Sequence, residues 1–346
     1  MSGAAIDLDA GVRGSTTAQA KPGAFVASIL LIAYNQQSTV GDAVAAALAQ
    51  TLAPIEILIS DDASSDATWG EMQRAVAGYS GPHRVVLNRN PVNLGIGAHL
   101  SHLVALSHGE LLFVAAGDDV SVPHRCERVV NAWLDSHKRL DLIASALADM
   151  DEQGRVHETI TPSDLARYHN AADWLARPPH VVGAAQAWTR RLFERFGPLP
   201  QGVVAEDLIM VFRAIVSGGA ITLNEALVRY RRGGVSRRRR AMHAHDVVQR
   251  LLKNNRHALI ELPQLLADAR TAGQWESVQS ALNQRLGRER HIEKLFAAPT
   301  LWQKLALSVR GGDAPVWLRL RLLFYAGFPW ALAPFFWLKR SVSRRA

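Results

Sequence analysis

The sequence predicts an α/β fold with a mostly parallel sheet flanked by helices, followed by a helical and basic C-terminal region. Short apolar runs alternate with helical stretches across residues 26–149, as in a parallel sheet covered on both faces. Residues 246–295 carry helical patterns without strands. Charge divides the chain in the same way, with 16 basic and 24 acidic residues up to position 228 but 23 basic and 7 acidic residues after it. The basic part predicts an anionic partner such as a phosphate, a membrane surface or nucleic acid.

The predicted strands of the front part are continuous apolar runs, because both faces of a parallel sheet are buried. They span residues 28–33, 55–60, 84–87 and 111–115. Helices are predicted between them at 41–50, 68–77 and 97–107, and Pro123 begins another, as proline in a first helical turn permits. Ligands bind at the carboxyl ends of the strands in such sheets.

Polar pairs follow three of these strands, at the point where each strand ends. The pairs are Tyr34-Asn35, Asp61-Asp62 and Asp118-Asp119. Because parallel strands end along one edge, we expect these side chains to converge although they are distant in sequence. The sequence therefore predicts a polar site at this edge.

The remaining elements are less regular. Residues 183–188 are predicted to be extended, residues 190–196 helical and residues 227–230 a short strand. Glu206 and Asp207 precede an apolar helix that ends before Gly218-Gly219. Two long helices are predicted at 246–272 and 275–295.

Composition excludes several classes of protein. The chain has 346 residues, of which 48% are hydrophobic and 20% charged, so a wholly disordered protein is excluded. The single cysteine, Cys126, excludes an intramolecular disulfide framework and a structural zinc site built on several thiolates. We expect Cys126 to be a buried, inert thiol. Residues 1–24 lack the apolar run of a secretory signal and are predicted to be a disordered tail.

Paired aspartates at a strand end suit a divalent cation beside a nucleotide. Mg²⁺ and ions like it prefer oxygen ligands and often bridge one or two carboxylates to phosphate oxygens. Gly117, which precedes Asp118-Asp119, permits a close backbone approach. The alternative is a solvated turn, since aspartate is common after strands. The second pair, Asp61-Asp62, favours the cation. Asp66 or Ser65 is expected to cap the helix that begins near Thr68, and this role accounts for Asp66 but not for both Asp61 and Asp62.

Residues 28–236 resemble the family-2 glycosyltransferases, which have the GT-A fold. The resemblance depends on the order and spacing of several short motifs. They are Tyr34-Asn35, Gln50-Thr51, the DDxSxD motif Asp61–Asp66, Asn93-Leu94-Gly95, Gly109-Glu110, Asp118-Asp119 followed by Pro123, Glu206-Asp207, and Tyr230-Arg231 ahead of Gly234.

The resemblance implies a role for each matching residue of the site. Ala33, Tyr34 and Asn35 would line the nucleobase pocket, Asp62 would contact the base, and Gly95 would belong to the nucleotide-sugar site. Asp118 would face the ribose. Asp119 would hold Mg²⁺ or Mn²⁺ at the donor diphosphate. Asp207 would be the general base of an inverting transfer to an acceptor hydroxyl.

Three positions depart from the family pattern. Ala116 replaces the outer aspartate of the longer D-x-D-D motif, and Leu100-Ser101 replaces an Arg-Asn pair that follows the N-x-G element. No QxxRW-type motif is present, so the chain is unlike processive polymer synthases.

The implied function is a nucleotide-sugar-dependent glycosyltransferase of the hexosyltransferase type. We expect a cytoplasmic enzyme at the inner membrane that extends a glycan or lipid-linked acceptor for a surface polysaccharide. An alternative is a non-catalytic nucleotide-sugar-binding or membrane-binding protein that retains the fold. A nucleotidyltransferase is a further alternative, but no glycine-rich phosphate loop lies near Tyr34.

Basic and histidine clusters are further candidate sites. Residues 237–240 are four consecutive arginines, but the helix and aromatic context of RNA-binding modules is missing, so nucleic acid is not an expected partner. Contact with a phosphate and a solvated basic loop remain open for this run. His99, His102 and His108 are expected to face solvent or lie near phosphate rather than bind a metal.

The stretch at residues 316–338 is apolar and aromatic with basic flanks. Pro329 and Pro334 interrupt it, and its longest apolar run is shorter than the roughly 20 residues of a membrane span. It predicts a helix-break-helix in the membrane interface, with a core helix pair as the alternative. The predicted domains are thus a tail at 1–24, a GT-A domain at 25–240, a helical region at 241–312 and a membrane-interface segment at 313–346.

Overall fold

The computed structural model describes residues 6–7, 24–231, 244–310 and 315–328. The chain forms two compact units. The first contains residues 1–237 and 271–274, and the second contains residues 238–270 and 275–346. The predicted tail at 1–24, the four arginines at 237–240 and the end of the predicted membrane-interface segment lie almost wholly outside the described residues.

The first unit is built on one sheet, which has ten strands within the described residues. They are β1 (Ile6–Asp7), β2 (Phe25–Ala33), β3 (Glu56–Asp61), β4 (Arg84–Arg89), β5 (Gly109–Ala116), β6 (Val120–Ser121), β7 (Leu142–Met150), β8 (Val156–Ile160), β9 (Gln186–Thr189) and β10 (Ala220–Arg231). Their order is β1-β4-β3-β2-β5-β9-β7-β10-β6, and β8 pairs with β7.

In the part of the chain that the structure describes, seven helices flank this sheet. They are α1 (Val40–Leu48), α2 (Thr68–Val76), α3 (Ile96–Leu106), α4 (Arg125–Asp135), α5 (Ala171–Ala176), α6 (Arg190–Phe196) and α7 (Glu206–Ile215). The main core packs the apolar faces of α1, α2 and α4 against β2, β3 and β5. Val44, Met72 and Trp133 are typical members. The α/β fold, the mostly parallel sheet and the flanking helices predicted from the sequence are confirmed.

The direction of β9 brings a distant segment to the edge where the parallel strands end. β9 runs antiparallel to both β5 and β7, with Phe113 of β5 opposite Ala187. The residues just before β9 therefore lie beside the carboxyl end of β5. β10 is parallel to β7 and pairs with it from Ala220 to Arg231, so it is longer than the predicted strand. The prediction of extended structure at 183–188 is wrong for Gly183–Ala185, which form a 3-10 turn.

Over residues 244–270, 275–310 and 315–328, the second unit contains helices α8 (Ala244–Thr271), α9 (Trp275–Ala297), α10 (Leu301–Arg310) and α11 (Val316–Gly327). A small apolar core joins Ile292 and Leu295 of α9 to Leu318 and Leu322 of α11. The helical C-terminal region is therefore confirmed. Among the described residues, every helix is too short or too polar to cross a bilayer.

Candidate active site

The predicted polar site lies at the carboxyl edge of the sheet in the first unit. β2, β3, β4 and β5 are mutually parallel, so the loops after them open on the same edge. The loops are tied together by backbone hydrogen bonds, because Asp62 N donates to Ala33 O and Gly117 N donates to Ile32 O, both at 2.9 Å. The ends of β2, β3 and β5 are thus hydrogen-bonded to one another at this edge.

The carboxylate of Asp62 is buried and held by three donors from the β4–α3 region. Oδ1 accepts hydrogen bonds from Asn90 Nδ2 at 2.8 Å and from Leu94 N at 2.9 Å, and Oδ2 accepts one from Gly95 N at 3.0 Å. Gly95 has a φ of 77°, a conformation that glycine adopts at little cost. Asp62 and Gly95 are therefore in direct contact, as their assignment to one site requires.

The other two aspartates of the DDxSxD motif shape the loop. Asp61 is fully buried, pairs with Arg89 Nε at 3.0 Å and accepts the Ser64 N–H with both oxygens at 3.2 Å. Asp66 Oδ1 accepts the N–H of Thr68 at 2.9 Å, which satisfies a free donor at the start of α2. The N-cap residue of α2 is Ala67, so Asp66 is not the cap itself, but it lies one residue earlier and bonds to the first N–H of the helix.

Tyr34 and Asn35 form the loop after β2. Asn35 has a φ of 52°, which is uncommon for a residue with a side chain but tolerated best by asparagine. Its N–H donates to Ser64 Oγ at 2.9 Å, and its Oδ1 accepts the N–H of Ser65 at 2.9 Å. This exchange fixes the loop against the DDxSxD segment. The Tyr34 side chain is 49% exposed and thus free to contact a ligand, whereas Ala33 is buried.

Asp118 and Asp119 follow β5 and are largely removed from water. Burial, together with repulsion from the Asp118 carboxylate, raises the pKa of Asp119 to about 8. Burial also raises the pKa of Asp118 above its ordinary value. The backbone here is tight, since a Cβ at Gly117 would lie 2.6 Å from the Cβ of Ala33. The motif therefore needs glycine at position 117, as its sequence context predicts.

The end of β10 braces the aspartate pair. Arg231 N donates to Asp119 Oδ1 at 2.9 Å, and Arg231 Nε donates to the carbonyl oxygen of Asp118 at 3.1 Å. The same guanidinium reaches Asp42 Oδ2 of α1 at 3.4 Å and the carbonyl of Glu152 at 3.3 Å. Sequence reasoning marked Arg231 only as part of a motif, and its bracing role depends on the pairing of β10 with β7.

The aspartate pair fits a divalent cation chemically. Two neighbouring carboxylates with raised pKa values destabilise each other when both are ionised, and a cation would offset that repulsion. Oxygen donors of this kind suit Mg²⁺ or Mn²⁺. The described residues contain no cluster of three or more His, Cys, Asp or Glu side chains suited to a metal. A bound diphosphate would supply further oxygen ligands.

Asp207 lies in the first turn of α7, beside the segment that precedes β9. A Cβ at Gly183 would lie 2.6 Å from Glu206 Oε1 and 3.5 Å from the Cβ of Asp207. Because the residues before β9 lie beside the carboxyl end of β5, Asp207 belongs to the same edge as Asp118 and Asp119. Its Oδ1 accepts the N–H of Leu208 at 2.8 Å, and the side chain is partly exposed.

A buried arginine that sequence reasoning missed connects these parts. Arg125 Nη2 donates to the carbonyls of Val114 in β5 at 3.0 Å and of Gln186 in β9 at 3.2 Å. Burial lowers the pKa of Arg125 to about 10, while Asp119 is one of the charges that oppose the shift. Gln186 Nε2 in turn donates to the carbonyl of Asp207 at 3.4 Å. No local motif singles out Arg125, because its partners come from strands distant in sequence.

The three histidines in or near α3 differ in how far they are buried. His102 is exposed, as expected. His99 is instead buried, with Nε2 at 2.6 Å from Ser60 Oγ and Nδ1 at 3.9 Å from Asp62 Oδ1, so it does not face solvent, which was one of its two expected placements. His108 Nδ1 lies 2.8 Å from Glu56 Oε1 at the opposite edge of the sheet.

Cys126 is buried, as predicted, and burial raises the pKa of its thiol to about 12. Leu100, at one of the positions that depart from the family pattern, is fully buried.

Comparison with known proteins agrees with this geometry. Residues 28–196 match the family model described as Glycosyl transferase family 2. The putative glycosyltransferase EpsE of Bacillus subtilis is 30% identical over 39% of this chain and 48% of its own length. The succinoglycan biosynthesis protein ExoU of Rhizobium meliloti is 33% identical over 44% of this chain and 40% of its own length. Each match thus spans less than half of the relative.

The fold has solved counterparts as well. The crystal structure of S. aureus TarS 1-349 in complex with UDP-GlcNAc superposes with a TM-score of 0.50 at 15% identity, covering 86% of both chains. At this identity the comparison shows similarity of fold alone.

Proposed function

Since residues 28–196 form a family-2 glycosyltransferase domain, we propose that the protein transfers a sugar of the hexose type from a nucleotide-sugar donor to an acceptor hydroxyl. One observation carries the proposal. Asp62, the Asp118-Asp119 pair and Asp207, which are far apart in sequence, lie at one edge of the sheet. That edge is where open α/β sheets bind nucleotides.

In this proposal the donor binds across the loops after β2, β3 and β5. The exposed ring of Tyr34 packs against the base, next to Ala33 and Asn35. Asp62 accepts a hydrogen bond from the base, and the three donors that hold its carboxylate keep it oriented. Gly95 closes this side of the pocket with its backbone. Asp118 faces the ribose.

Asp119 would hold the divalent cation, with its orientation set by the N–H of Arg231. When bound, Mg²⁺ or Mn²⁺ would offset the negative charge that develops on the departing diphosphate. Arg231 and Arg125 support the loop rather than the ligand, because their hydrogen bonds go mainly to backbone carbonyls.

Asp207 would be the general base. It takes the proton of the acceptor hydroxyl while that oxygen forms a bond to the anomeric carbon and the bond from this carbon to the diphosphate oxygen breaks. Such a direct displacement inverts the anomeric centre and needs one carboxylate, unlike the two carboxylates of a glycoside hydrolase. Asp207 lies in the first turn of α7, where its Oδ1 accepts the N–H of Leu208 at 2.8 Å.

The acceptor is proposed to be a glycan or lipid-linked glycan of a surface polysaccharide. A relative named for succinoglycan biosynthesis supports this class of product. Binding at a membrane surface is proposed with it, because α10 and α11 carry basic residues, exposed tryptophans and no acidic residue.

A donor screen tests the proposal. Purified full-length protein is mixed with UDP-, GDP- and dTDP-sugars and glycan acceptors, with Mn²⁺ or with EDTA, and release of nucleoside diphosphate is measured. We expect release from at least one donor, lost with EDTA and restored by added metal. Donor binding without release under any condition would favour the alternative, a non-catalytic nucleotide-sugar-binding protein, for which Ala116 in place of an aspartate is the supporting observation.

A further inference from the structure

A cleft of about 360 Å³ opens between α8, α9 and α11 of the second unit. Its wall is largely apolar, with Leu251 from α8, Ile292 from α9, and Leu318 and Leu322 from α11. A cleft of this size is at the lower end of the range for small-molecule sites, which are typically apolar with a few polar groups. It is large enough for part of a hydrocarbon chain.

Among the charged side chains that line the cleft, Arg321 is the one that is not paired with a carboxylate of the lining. Glu289 Oε1 accepts two hydrogen bonds from Arg288, at 2.7 and 3.0 Å, and its Oε2 accepts one from Asn255 at 2.9 Å. Arg288 and Glu289 therefore neutralise each other. Arg321, which also lines the cleft, adds a cation without a matching anion on its own helix, since α11 has no acidic residue.

Arg321 is held by aromatic rings rather than by a carboxylate. Its guanidinium carbon lies 5.3 Å from the centre of the Trp317 ring and 5.8 Å from that of Tyr325, one turn away on either side along α11. Cation–π contact orients a guanidinium while leaving N–H donors for an anion. A planar, weakly hydrated guanidinium suits two parallel hydrogen bonds to phosphate.

The surface around this arginine is apolar and exposed. Trp317 is 62% exposed, Leu320 60% and Val316 61%, and Trp302 on α10 is 81% exposed. Tryptophan next to arginine on a helix is typical of the headgroup region of a bilayer. Anionic lipid complements the positive charge of α10 and α11.

We infer that this cleft binds one phospholipid with an anionic headgroup, its phosphate on Arg321 and part of an acyl chain among Leu251, Ile292, Leu318 and Leu322. The inference rests on the proposed membrane association but not on sugar transfer. It differs from simple adsorption to a charged surface, because it requires a single saturable site that recognises one lipid molecule.

Titration calorimetry with a short-chain lipid distinguishes binding at a single site from adsorption to a charged surface. Full-length protein is titrated with dihexanoylphosphatidylglycerol below its micelle concentration. Dihexanoylphosphatidylcholine and inorganic phosphate serve as comparisons. We expect one saturable site for phosphatidylglycerol per chain, and affinities for the other two that are lower by about tenfold or more, because each lacks the net charge or the chain that the cleft recognises.

Three variants test whether phosphatidylglycerol binds in this cleft. Arg321→Ala removes the cation, and Ala258→Phe places a ring in the cleft, since Ala258 lines it. Arg310→Ala removes an exposed arginine of α10 that does not line it. We expect the first two to weaken phosphatidylglycerol binding at least tenfold and the third to leave it unchanged. Arg321 is exposed, so Arg321→Ala stays informative even if Ala258→Phe fails to fold.

Equal binding by Arg321→Ala and Arg310→Ala would overturn the inference. Tighter binding of geranyl phosphate than of phosphatidylglycerol would also overturn it, because the ligand would then be a prenyl phosphate rather than a bilayer phospholipid. Neither result depends on donor turnover, so failure of the proposed transferase activity would be recognised separately in the nucleotide-release assay.

Discussion

The backbone N–H of Arg231 donates a hydrogen bond of 2.9 Å to Oδ1 of Asp119, which joins the last residue of β10 to the aspartate after β5. The two residues are 112 positions apart in sequence. The Arg231 side chain adds contacts to Asp42 and to two backbone carbonyls. The proposed cation site is therefore held from outside its own loop.

Replacing Arg231 by methionine is expected to weaken the apparent metal affinity by about 10- to 100-fold, the usual effect of removing a group that orients a metal ligand. The backbone hydrogen bond remains, but the loop loses its brace. Lysine at this position should recover little, because one ammonium group cannot reproduce the several directions of a guanidinium. Nucleotide release measured against Mn²⁺ concentration gives the apparent affinity.

Arg229→Met is the matched control for this variant, since Arg229 lies two residues earlier on β10 and is exposed. It should leave the metal dependence unchanged. An unchanged metal affinity in Arg231→Met would show that the brace is not needed.

Asp207→Asn is expected to lower kcat by about 10²- to 10⁴-fold, the range for loss of a general base, with little change in donor binding. Asparagine keeps the size of the side chain but cannot take a proton from the acceptor. Nucleotide release and product formation give kcat, and donor affinity is measured separately by calorimetry. Asp135→Asn, an exposed position at the end of α4, should behave like the original protein. Unchanged turnover in Asp207→Asn would remove Asp207 from the mechanism.

The parts of this site that follow strands could be predicted from the sequence. Apolar runs at residues 28–33 and 111–115 predicted β2 and β5, so the positions of Tyr34, Asn35, Asp118 and Asp119 at strand ends followed directly. The contact of Asp66 with the start of α2 was predictable in the same way, because it is a local interaction between neighbours in sequence.

Interactions between distant segments could not be predicted. Arg125 reaches Gln186 only because β9 enters the sheet antiparallel beside β5, and hydrophobic periodicity does not report strand order. The burial of His99 depends on which face of α3 meets β3, where Ser60 lies. The turn at Gly183 could not be predicted either, because Gly183 lies close to Glu206, which belongs to a helix distant in sequence.

The opposite edge of the sheet leads to a stability prediction. Glu56 at the start of β3 is fully buried and accepts hydrogen bonds from Ser28 Oγ at 2.6 Å, His108 N at 2.7 Å and Arg84 Nη1 at 2.5 Å. Glu56→Ala is expected to lower the free energy of unfolding by about 3–5 kcal/mol, because it leaves buried donors and a positive charge without their partner. Urea denaturation measures this change.

The matched control is Glu110→Ala, which breaks an exposed pair between Glu110 and Lys138. Its expected cost is about 1 kcal/mol or less, because exposed ion pairs contribute little. Equal effects of the two substitutions would mean that the Glu56 network adds no more than a surface pair.

His99 leads to a prediction about the pH dependence of stability. Burial lowers the pKa of His99 from 6.5 to about 4, although the nearby Asp62 carboxylate opposes part of the shift. Below pH 6.5 the unfolded chain therefore binds a proton that the folded protein does not bind until about pH 4. The stabilisation from neutral His99 is complete above pH 6.5 and is lost as the pH falls from 6.5 to 4, by about 3 kcal/mol in total.

His99→Gln tests this directly, because glutamine does not titrate and can still hydrogen bond to Ser60. Urea denaturation at intervals from pH 7.5 to 4 should show that the difference in stability between the original protein and His99→Gln shrinks steadily as the pH falls. His102→Gln, on the same helix but exposed, should show a constant difference. The reason is that the His102 side chain is in contact with water in the folded protein, so folding does not remove its ring from solvent. A constant difference for His99→Gln as well would mean that His99 is protonated as easily in the folded protein as in water.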